Sequence, residues 1–159
     1  MTDQKLEDER WMQVALEEAR LAAQKGEVPV GAVVVHEGKL LVKSHNLREI
    51  NKDPLAHAEL LAIAQAAEML DRWRLIDCTL YVTLEPCPMC AGAIVNSRLD
   101  RIVFGASDPR AGSCGSIMNI VEDERLNHRP AVTRGILQPA CSEILSNFFR
   151  DLRARRKDS

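Results

Sequence analysis

Two cysteines stand three positions apart in the stretch LEPCPMCAGA, residues 84–93, which follows an apolar run typical of a β-strand. Cys87 and Cys90 could form a redox couple, half of a structural zinc site or part of a catalytic zinc site, because thiolates serve all three chemistries. A structural site would need a second close pair of ligands. The remaining cysteines are isolated and are interpreted as small buried hydrophobic residues: Cys78, Cys114 and Cys141.

A histidine and a glutamate two positions apart, His57 and Glu59, begin a strongly helical segment about thirty residues before the cysteines. Alone, this pair is a weak signal, since a histidine at the start of a helix usually caps or packs. Together with Pro-Cys-x-x-Cys it forms the signature of zinc-dependent nucleobase deaminases. We therefore predict one Zn²⁺ per subunit held by His57, Cys87 and Cys90, with Glu59 as the catalytic proton carrier.

The spacing of these residues is geometrically reasonable only at the first turn of a helix. Positions 57 and 59 are about 200° apart around a regular helix, but side chains at the first turn lean towards the N-terminus and can converge there. A second helix starting at Pro88 would bring the two thiols to the same point. The predicted chemistry is hydrolytic deamination, in which Glu59 accepts a proton from water and returns it to a ring nitrogen as ammonia leaves.

The segments around these residues predict an α/β domain. Antiparallel pairing is expected across Glu37-Gly38, and a strand–helix–strand unit around the cysteines predicts parallel pairing. The whole pattern predicts a three-layer α/β/α domain around a mixed five-stranded sheet, with one domain covering residues 1–159. The predicted helices are 5–25, 56–70, 88–97 and about 142–155, and the predicted strands are 29–36, 39–45, 78–84, 100–106 and about 131–137.

Composition and charge indicate the cellular location of the protein and the kinds of partner it could bind. No run approaches the ~18 apolar residues of a membrane helix, the first twenty residues are too acidic for a signal peptide, and five scattered cysteines suit a reducing compartment. We expect a cytoplasmic protein without a membrane partner. A net charge of −2 gives no global sign of nucleic-acid binding, but Arg150 to Ser159 carry five bases and two acids, which predicts a basic C-terminal helix end from about residue 150.

Several stretches resemble the bacterial tRNA adenosine deaminase (TadA) family, within the cytidine deaminase-like superfamily. The resemblance runs almost end to end, and its most specific parts are FGASD near the middle and NFFR near the C-terminus. The matching stretches are EVPVGAVVV (27–35), HN (45–46), DPLAHAE (53–59), RLIDCTLYVTLEPCPMCAGAI (74–94), SR (97–98), RIVFGASD (101–108), AGSCGS (111–116), NHR (127–129) and LSNFFR (145–150).

This resemblance implies conversion of adenosine to inosine at the wobble position of a tRNA anticodon, in an arginine tRNA, by a homodimer whose partner subunit helps to bind RNA. A rival within the same zinc chemistry is a deaminase of a free nucleobase or nucleoside of the guanine or cytosine type. A non-catalytic zinc-stabilised RNA-binding module and a thiol oxidoreductase are rivals from other classes. Metal analysis tests the thiol oxidoreductase, a Glu59 variant tests the non-catalytic module, and mapping of inosine in total tRNA tests the free-base deaminase.

The resemblance also implies a set of substrate-binding residues, each of which has a structural alternative. The implied contacts to the flipped nucleoside and the anticodon loop are Asn46, Val30, Ala58, Leu84, Asp108, Phe148, Phe149 and Arg150. Alternatively, Val30 and Leu84 are core residues, Asn46 ends the hairpin and Asp108 shapes a turn. One of the two adjacent phenylalanines is then expected in the core. Basic residues outside the tail that could contact phosphate are Lys43, Arg48, Lys52, Arg72, Arg74 and Arg110.

Overall fold

The computed structural model describes residues 2–158, and in this part of the chain helices flank a single five-stranded sheet. The helices are α1 (Asp3–Gln24), α2 (Arg48–Asn51), α3 (Ala58–Leu70), α4 (Pro88–Asn96) and α5 (Gln138–Asp158). The strands are β1 (Gly31–His36), β2 (Lys39–His45), β3 (Cys78–Leu84), β4 (Arg101–Ala106) and β5 (Ala131–Arg134). Each helix and strand that the sequence predicts is present.

The sheet is mixed, with strand order β2-β1-β3-β4-β5. Strand β1 pairs antiparallel with β2 and β3, whereas β3, β4 and β5 run parallel. The β1–β2 turn is Glu37-Gly38, and both residues have positive φ, 51° and 77°. A two-residue turn of this kind matches the twist of the flanking strands, and glycine adopts positive φ without steric cost. The mixed five-stranded sheet is thus confirmed.

Both faces of the sheet are covered, which gives the predicted three layers. Alternate residues of β1 belong to opposite cores: Ala32 and Val34 pack with α3 and α4, and Val33 and Val35 pack with α1 and the start of α5. Strand side chains alternate between faces, so a strand buried on both sides must be apolar throughout, as GAVVV is. Cys78, Cys114 and Cys141 are buried, as expected for small hydrophobic residues.

The structure corrects two predicted boundaries and adds one short helix. Strand β5 ends at Arg134 rather than near residue 137, because Gly135 and Leu137 adopt positive φ and leave the extended conformation. Helix α5 begins at Gln138, four residues before the predicted start. Helix α2 was not predicted, and its first turn is held by the buried Glu27 carboxylate, which accepts hydrogen bonds from two backbone N–H groups at 3.0 and 2.8 Å.

The parallel part of the sheet determines where a site can form. Leu84 at the end of β3 lies opposite Ala106 at the end of β4, so the segment containing both cysteines and the loop from Ser107 onwards leave the same edge. Ligand sites in open α/β sheets form at the carboxyl ends of parallel strands. None of the helices in the described part of the chain combines the length and apolar character needed to cross a bilayer.

Candidate metal centre and active-site cavity

Three side chains from two helix N-termini meet at this edge of the sheet. His57 is the N-cap of α3 and Cys87 is the N-cap of α4, and neither side chain caps its own helix. Cys90 lies in the first turn of α4 and is fully buried. The Nδ1 atom of His57 is 3.6 Å from each Sγ atom, and all three candidate ligand atoms lie within 4.8 Å of one another.

These distances fit a tetrahedral zinc ion. Zn–S bonds of about 2.3 Å and Zn–N bonds of about 2.0–2.1 Å at tetrahedral angles place nitrogen and sulfur ligands about 3.6 Å apart. That separation is the one between His57 and each cysteine. Two thiolates and one imidazole suit zinc, and three protein ligands leave a fourth position for water. The predicted trio can therefore hold a catalytic metal.

The two thiols of the trio differ in their protonation. Cys87 accepts a hydrogen bond from Cys90 and another from His57, and these contacts lower the Cys87 pKa to about 4 despite burial. The same contact and burial raise the pKa of the Cys90 thiol, and Cys87 raises the pKa of His57. The metal-free centre thus contains a thiolate with two proton donors beside it. Metal binding must displace those protons, since ligands coordinate in their deprotonated forms.

Glu59 lies in the first turn of α3, two residues after His57, and is not one of the three ligands. Its side chain is 4% exposed, and burial raises its pKa from 4.5 to about 7. A carboxyl group with a pKa near the working pH can both accept and return a proton. This environment matches the role that the sequence predicts for Glu59.

A cavity of about 740 Å³ opens beside the trio, with His57, Glu59 and Cys87 on its wall. Its volume falls within the ordinary range for small-molecule and cofactor sites. The other lining residues come from the segment before β1, the residue after β2, α2, the start of α3, the end of β3, the loop after β4 and helix α5. Seven of the eight predicted substrate-binding residues line this cavity: Asn46, Val30, Ala58, Leu84, Asp108, Phe149 and Arg150.

Comparisons with known proteins agree with this site. Residues 6–153 match the MafB19-like deaminase family. The tRNA-specific adenosine deaminase of Bacillus subtilis (strain 168) is 51% identical over 151 residues, which cover 95% of this chain and 94% of that protein. The chain belongs to the tRNA-specific adenosine deaminase family. The resemblance seen in the sequence is confirmed.

Solved structures support the family assignment and its fold. A structure from biochemical and structural studies of A-to-I editing by tRNA:A34 deaminases has a TM-score of 0.83 and 41% identity, covering 86% of this chain and 99% of that one. A guanine deaminase from Nitrosomonas europaea has a TM-score of 0.71 and 25% identity, covering 88% of this chain and 83% of that one. This chain therefore shares more of its sequence and structure with the tRNA:A34 deaminase structure than with the guanine deaminase.

Asn46 has a structural role in the deaminase and also lines the cavity. Its Nδ2 donates to the carbonyl of Val28, and its Oδ1 accepts from the N–H of Arg48, so it does end the hairpin as the structural alternative expected. A primary amide has two N–H donors and two acceptor lone pairs. Each of the two bonds uses one of these positions, and the amide therefore keeps capacity for a ligand.

Asp108 likewise shapes a turn of the deaminase. Its Oδ1 accepts from the N–H of Arg110 at 2.9 Å and of Ala111 at 3.3 Å. The same oxygen, Oδ1, accepts both hydrogen bonds. The half-buried carboxylate is thus oriented by its own loop on the wall of the cavity.

Phe148 is the one predicted substrate-binding residue that does not line this cavity. It lines a second cavity of about 190 Å³ with Ala23 and Ile144, whereas Phe149 is 40% exposed and faces the main cavity. Adjacent residues on a helix point about 100° apart, which explains the division. One of the two rings was expected in the core, but Phe148 is half-buried in the single chain, Phe149 is exposed, and neither belongs to the two buried core clusters.

Four arginines lie around the main cavity, and the sequence did not rank the basic residues that could contact RNA. Arg48 and Arg110 line it together with Arg150 and Arg153 of α5. All four were among the candidates for RNA contact, Arg150 and Arg153 as part of the basic tail, but nothing in the sequence separated them from the four that do not line the cavity, Lys43, Lys52, Arg72 and Arg74. Proximity across the fold, rather than any local pattern, selects this set.

Glu85 was missed as a side chain with a function. Glu85 is 2% exposed, and its carboxylate accepts hydrogen bonds from the loop that follows β4. Burial alone would raise its pKa, yet the bonds from Ser116, Asp108 and Cys114 outweigh burial and hold the Glu85 pKa below its ordinary value. The position of Glu85 just before Pro86-Cys87 carries no signal of these contacts.

Proposed function

We propose that this protein is a zinc-dependent deaminase that hydrolyses adenosine to inosine at the wobble position of a tRNA anticodon. The observation that carries the proposal is the buried Glu59 beside the His57, Cys87 and Cys90 trio, on the wall of one cavity. The 51% identity to a tRNA-specific adenosine deaminase supports the choice of substrate. The guanine deaminase neighbour, at 25% identity, gives the free-base alternative weaker support.

The proposed reaction assigns proton transfer to Glu59. When bound, zinc lowers the pKa of water and so supplies a nucleophile at neutral pH. Glu59 accepts a proton as water adds to C6 of adenine, and it delivers that proton to the ring nitrogen. The hydroxyl now on C6 then gives its proton to the same carboxylate, which passes it to the exocyclic amine; the C6–N bond breaks, the C6 carbonyl of inosine forms and ammonia leaves. Its pKa of about 7 in the metal-free chain suits both directions of transfer.

The adenine ring would lie between apolar side chains near the metal centre. Val30, Ala58 and Leu84 give this part of the cavity its apolar surface, and Asn46 supplies an amide for the flipped nucleoside. Because a base in a stacked duplex is out of reach, the enzyme needs a base that has been extruded or is already unstacked. An anticodon loop offers such a base at low energetic cost.

Binding of the surrounding RNA is assigned to the four arginines around the cavity. Arg48, Arg110, Arg150 and Arg153 come from α2, the loop after β4 and α5, so they approach the opening from three directions. Phe149, exposed beside Arg150, provides an aromatic face on which a loop base can stack. Phe148 meets the Phe149 ring edge-on with centroids 5.5 Å apart, and we assign it support of that ring as well as contact with RNA beyond the cavity.

Four finer assignments complete the proposal. We propose an arginine tRNA as substrate and a cytoplasmic location, which rest on the sequence resemblance and on the free cysteines. One deaminase domain spanning residues 1–159 is supported by the packing of α1 and α5, from the two ends of the chain, on the same face of the sheet. A homodimer whose partner helps to bind RNA is supported by exposed apolar side chains on and between α2 and α3, namely Ile50, Leu55 and Met69.

The test of the proposal is to incubate the zinc-loaded protein with total tRNA and map inosine by sequencing. We expect inosine only at wobble adenosines. A Glu59→Ala variant with the same zinc content is the matched control and should produce none. Release of ammonia from guanine or cytosine, with no inosine in any tRNA, would replace this proposal with the free-base alternative.

A further inference from the structure

Glu85 lies between the end of β3 and the metal ligand Cys87, and its carboxylate is almost fully buried. Oε1 accepts from the N–H of Asp108 at 3.0 Å and from the hydroxyl of Ser116. Oε2 accepts from the N–H groups of Cys114 and Ser116, both at 3.0 Å. All four donors belong to the loop that follows β4, so one side chain holds both ends of the segment from Asp108 to Ser116.

A carboxylate is the side chain that fits this arrangement. An ionised carboxylate only accepts hydrogen bonds and offers about four lone-pair positions, so it can satisfy four converging donors. The loop also packs tightly against it, because a Cβ atom on Gly112 would lie 2.4 Å from the Glu85 Cδ atom. Beside the carboxylate, the N–H of Ser113 donates to the carbonyl of Pro86 at 2.8 Å.

The loop held in this way forms one wall of the cavity. Ser107, Asp108, Pro109, Arg110 and Ala111 all line it. No helix or strand is assigned between β4 and β5 in the described chain apart from one isolated bridge, Cys114 to Asn119. Regular secondary structure therefore does not fix this wall, and the bonds to Glu85 provide the anchor instead.

We propose that Glu85 is a positioning residue for RNA binding. It ties the loop that carries Asp108 and Arg110 to the segment that carries Cys87, and so fixes the RNA-facing wall relative to the metal centre. Its own oxygens are already engaged by the loop, so it acts through that loop rather than on the substrate. This inference rests on the proposed function, because it takes tRNA as the ligand of the cavity.

The test uses Glu85→Gln in the zinc-loaded full chain. The substitution replaces one acceptor oxygen by an NH₂ group, which then faces N–H donors of the loop. We expect KM for a tRNA anticodon stem-loop to rise by about tenfold and kcat to stay within about threefold, since binding is impaired and the chemistry is not. Zinc content should match the wild type, and hydrogen exchange in the peptide covering 107–116 should be faster.

Asp8→Asn is the matched control. Asp8 is also a buried carboxylate, 1% exposed, and it accepts hydrogen bonds from Gln4, Tyr81 and Arg101, but it belongs to α1 on the other face of the sheet and does not line the cavity. We expect this variant to lower the melting temperature without changing KM or exchange at 107–116. Ser116→Ala removes the hydroxyl donor to Glu85 Oε1 from the loop side and should raise KM in the same direction as Glu85→Gln.

The outcomes separate this inference from the proposed function. Unchanged KM in Glu85→Gln, a fall in kcat alone, or behaviour equal to that of Asp8→Asn would each overturn the positioning role. If Glu85→Gln does not fold, the KM and exchange of Ser116→Ala decide in the same way. A wild-type protein that makes no inosine in the stem-loop overturns the proposed function and the RNA part of this inference, while the exchange comparison still decides whether Glu85 anchors the loop.

Discussion

Replacement of Glu59 by glutamine removes the proton carrier while keeping the size of the side chain. If Glu59 moves protons in the reaction, deamination of an anticodon stem-loop should fall by about 10²–10⁴-fold, the usual contribution of a general acid–base group. This corresponds to about 3–5 kcal/mol in the activation free energy. Zinc content should not change, because Glu59 is not among the three candidate ligands.

The same substitution should affect the stability of the metal-free chain in a pH-dependent way. Burial raises the pKa of Glu59 from 4.5 to about 7, and this difference corresponds to about 3 kcal/mol. Below about pH 4 the carboxyl group is protonated in both states, so it has no effect. As the pH rises towards 7 the unfolded chain ionises first, which favours unfolding, and above pH 7 the full penalty applies. Glutamine stays neutral, so Glu59→Gln should be more stable than the wild type at pH 8 and equal to it near pH 4.

Two assays check this prediction. Single-turnover inosine formation with excess enzyme measures the chemical step, with zinc content measured on the same samples. Urea unfolding of the chelator-treated proteins at pH 4, 6 and 8 measures the stability difference. Deamination by Glu59→Gln at the wild-type rate would refute the mechanism. If Glu59→Gln increased the free energy of unfolding by the same amount at every pH, ionisation of the buried Glu59 carboxyl group would not be the cause of the destabilisation.

Three further predictions concern a candidate metal ligand, a cavity arginine and a buried aspartate outside the site. His57→Ala should reduce zinc below one ion per chain, as measured by elemental analysis, because it removes one of three ligands that lie within 4.8 Å of one another; unchanged metal content would exclude this residue as a ligand. Arg150→Ala should weaken stem-loop binding and reduce the slope of log K against log salt by about 0.7, the value for one phosphate contact on a single strand; an unchanged slope would remove Arg150 from the phosphate contacts. Burial would raise the Asp8 pKa, but the hydrogen bonds from Arg101 and Tyr81 hold it below its ordinary value. The ionised Asp8 carboxylate therefore stabilises the fold above the ordinary aspartate pKa. That stabilisation is lost as the pH falls through the folded pKa of Asp8. Asp8→Asn should therefore be destabilised by about 3 kcal/mol at pH 7 and much less at pH 2 in urea titrations, and an equal deficit at both pH values would contradict the argument.

Much of the fold follows from local sequence patterns, because those patterns have local physical causes. The apolar, valine-rich run GAVVV and the Glu37-Gly38 turn predict the hairpin, and Pro88 predicts the start of α4, since proline is favoured in the first turn of a helix. Helix α2 could not be predicted in this way. It has only four residues, and Glu27, which lies more than twenty positions earlier, stabilises its first turn.

The residues of the candidate site likewise fall into those that the sequence predicted and those that it did not. His57, Glu59, Cys87 and Cys90 were predicted from residue types and spacing that match the signature of zinc-dependent deaminases, because one metal with one proton carrier requires few residues in a fixed arrangement. The roles of Glu85 and the selection of the cavity arginines were not predictable. A glutamate that binds backbone N–H groups about twenty to thirty positions away has the same local sequence as one that faces solvent.

The sequence by itself thus predicted the chemistry of this protein, since donor types and their spacing indicate a metal, a base and a class of reaction. Tertiary structure decided how the surrounding residues meet at that centre, including Glu85 and the grouping of the cavity arginines. Packing of α3 and α4 on one face of the sheet brings two helix N-termini together with His57 Nδ1 at 3.6 Å from both sulfur atoms. The loop after β4 and helix α5 complete the cavity wall through contacts between residues far apart in the chain. Such contacts depend on the folded path of the whole backbone, and no local pattern of residues encodes them.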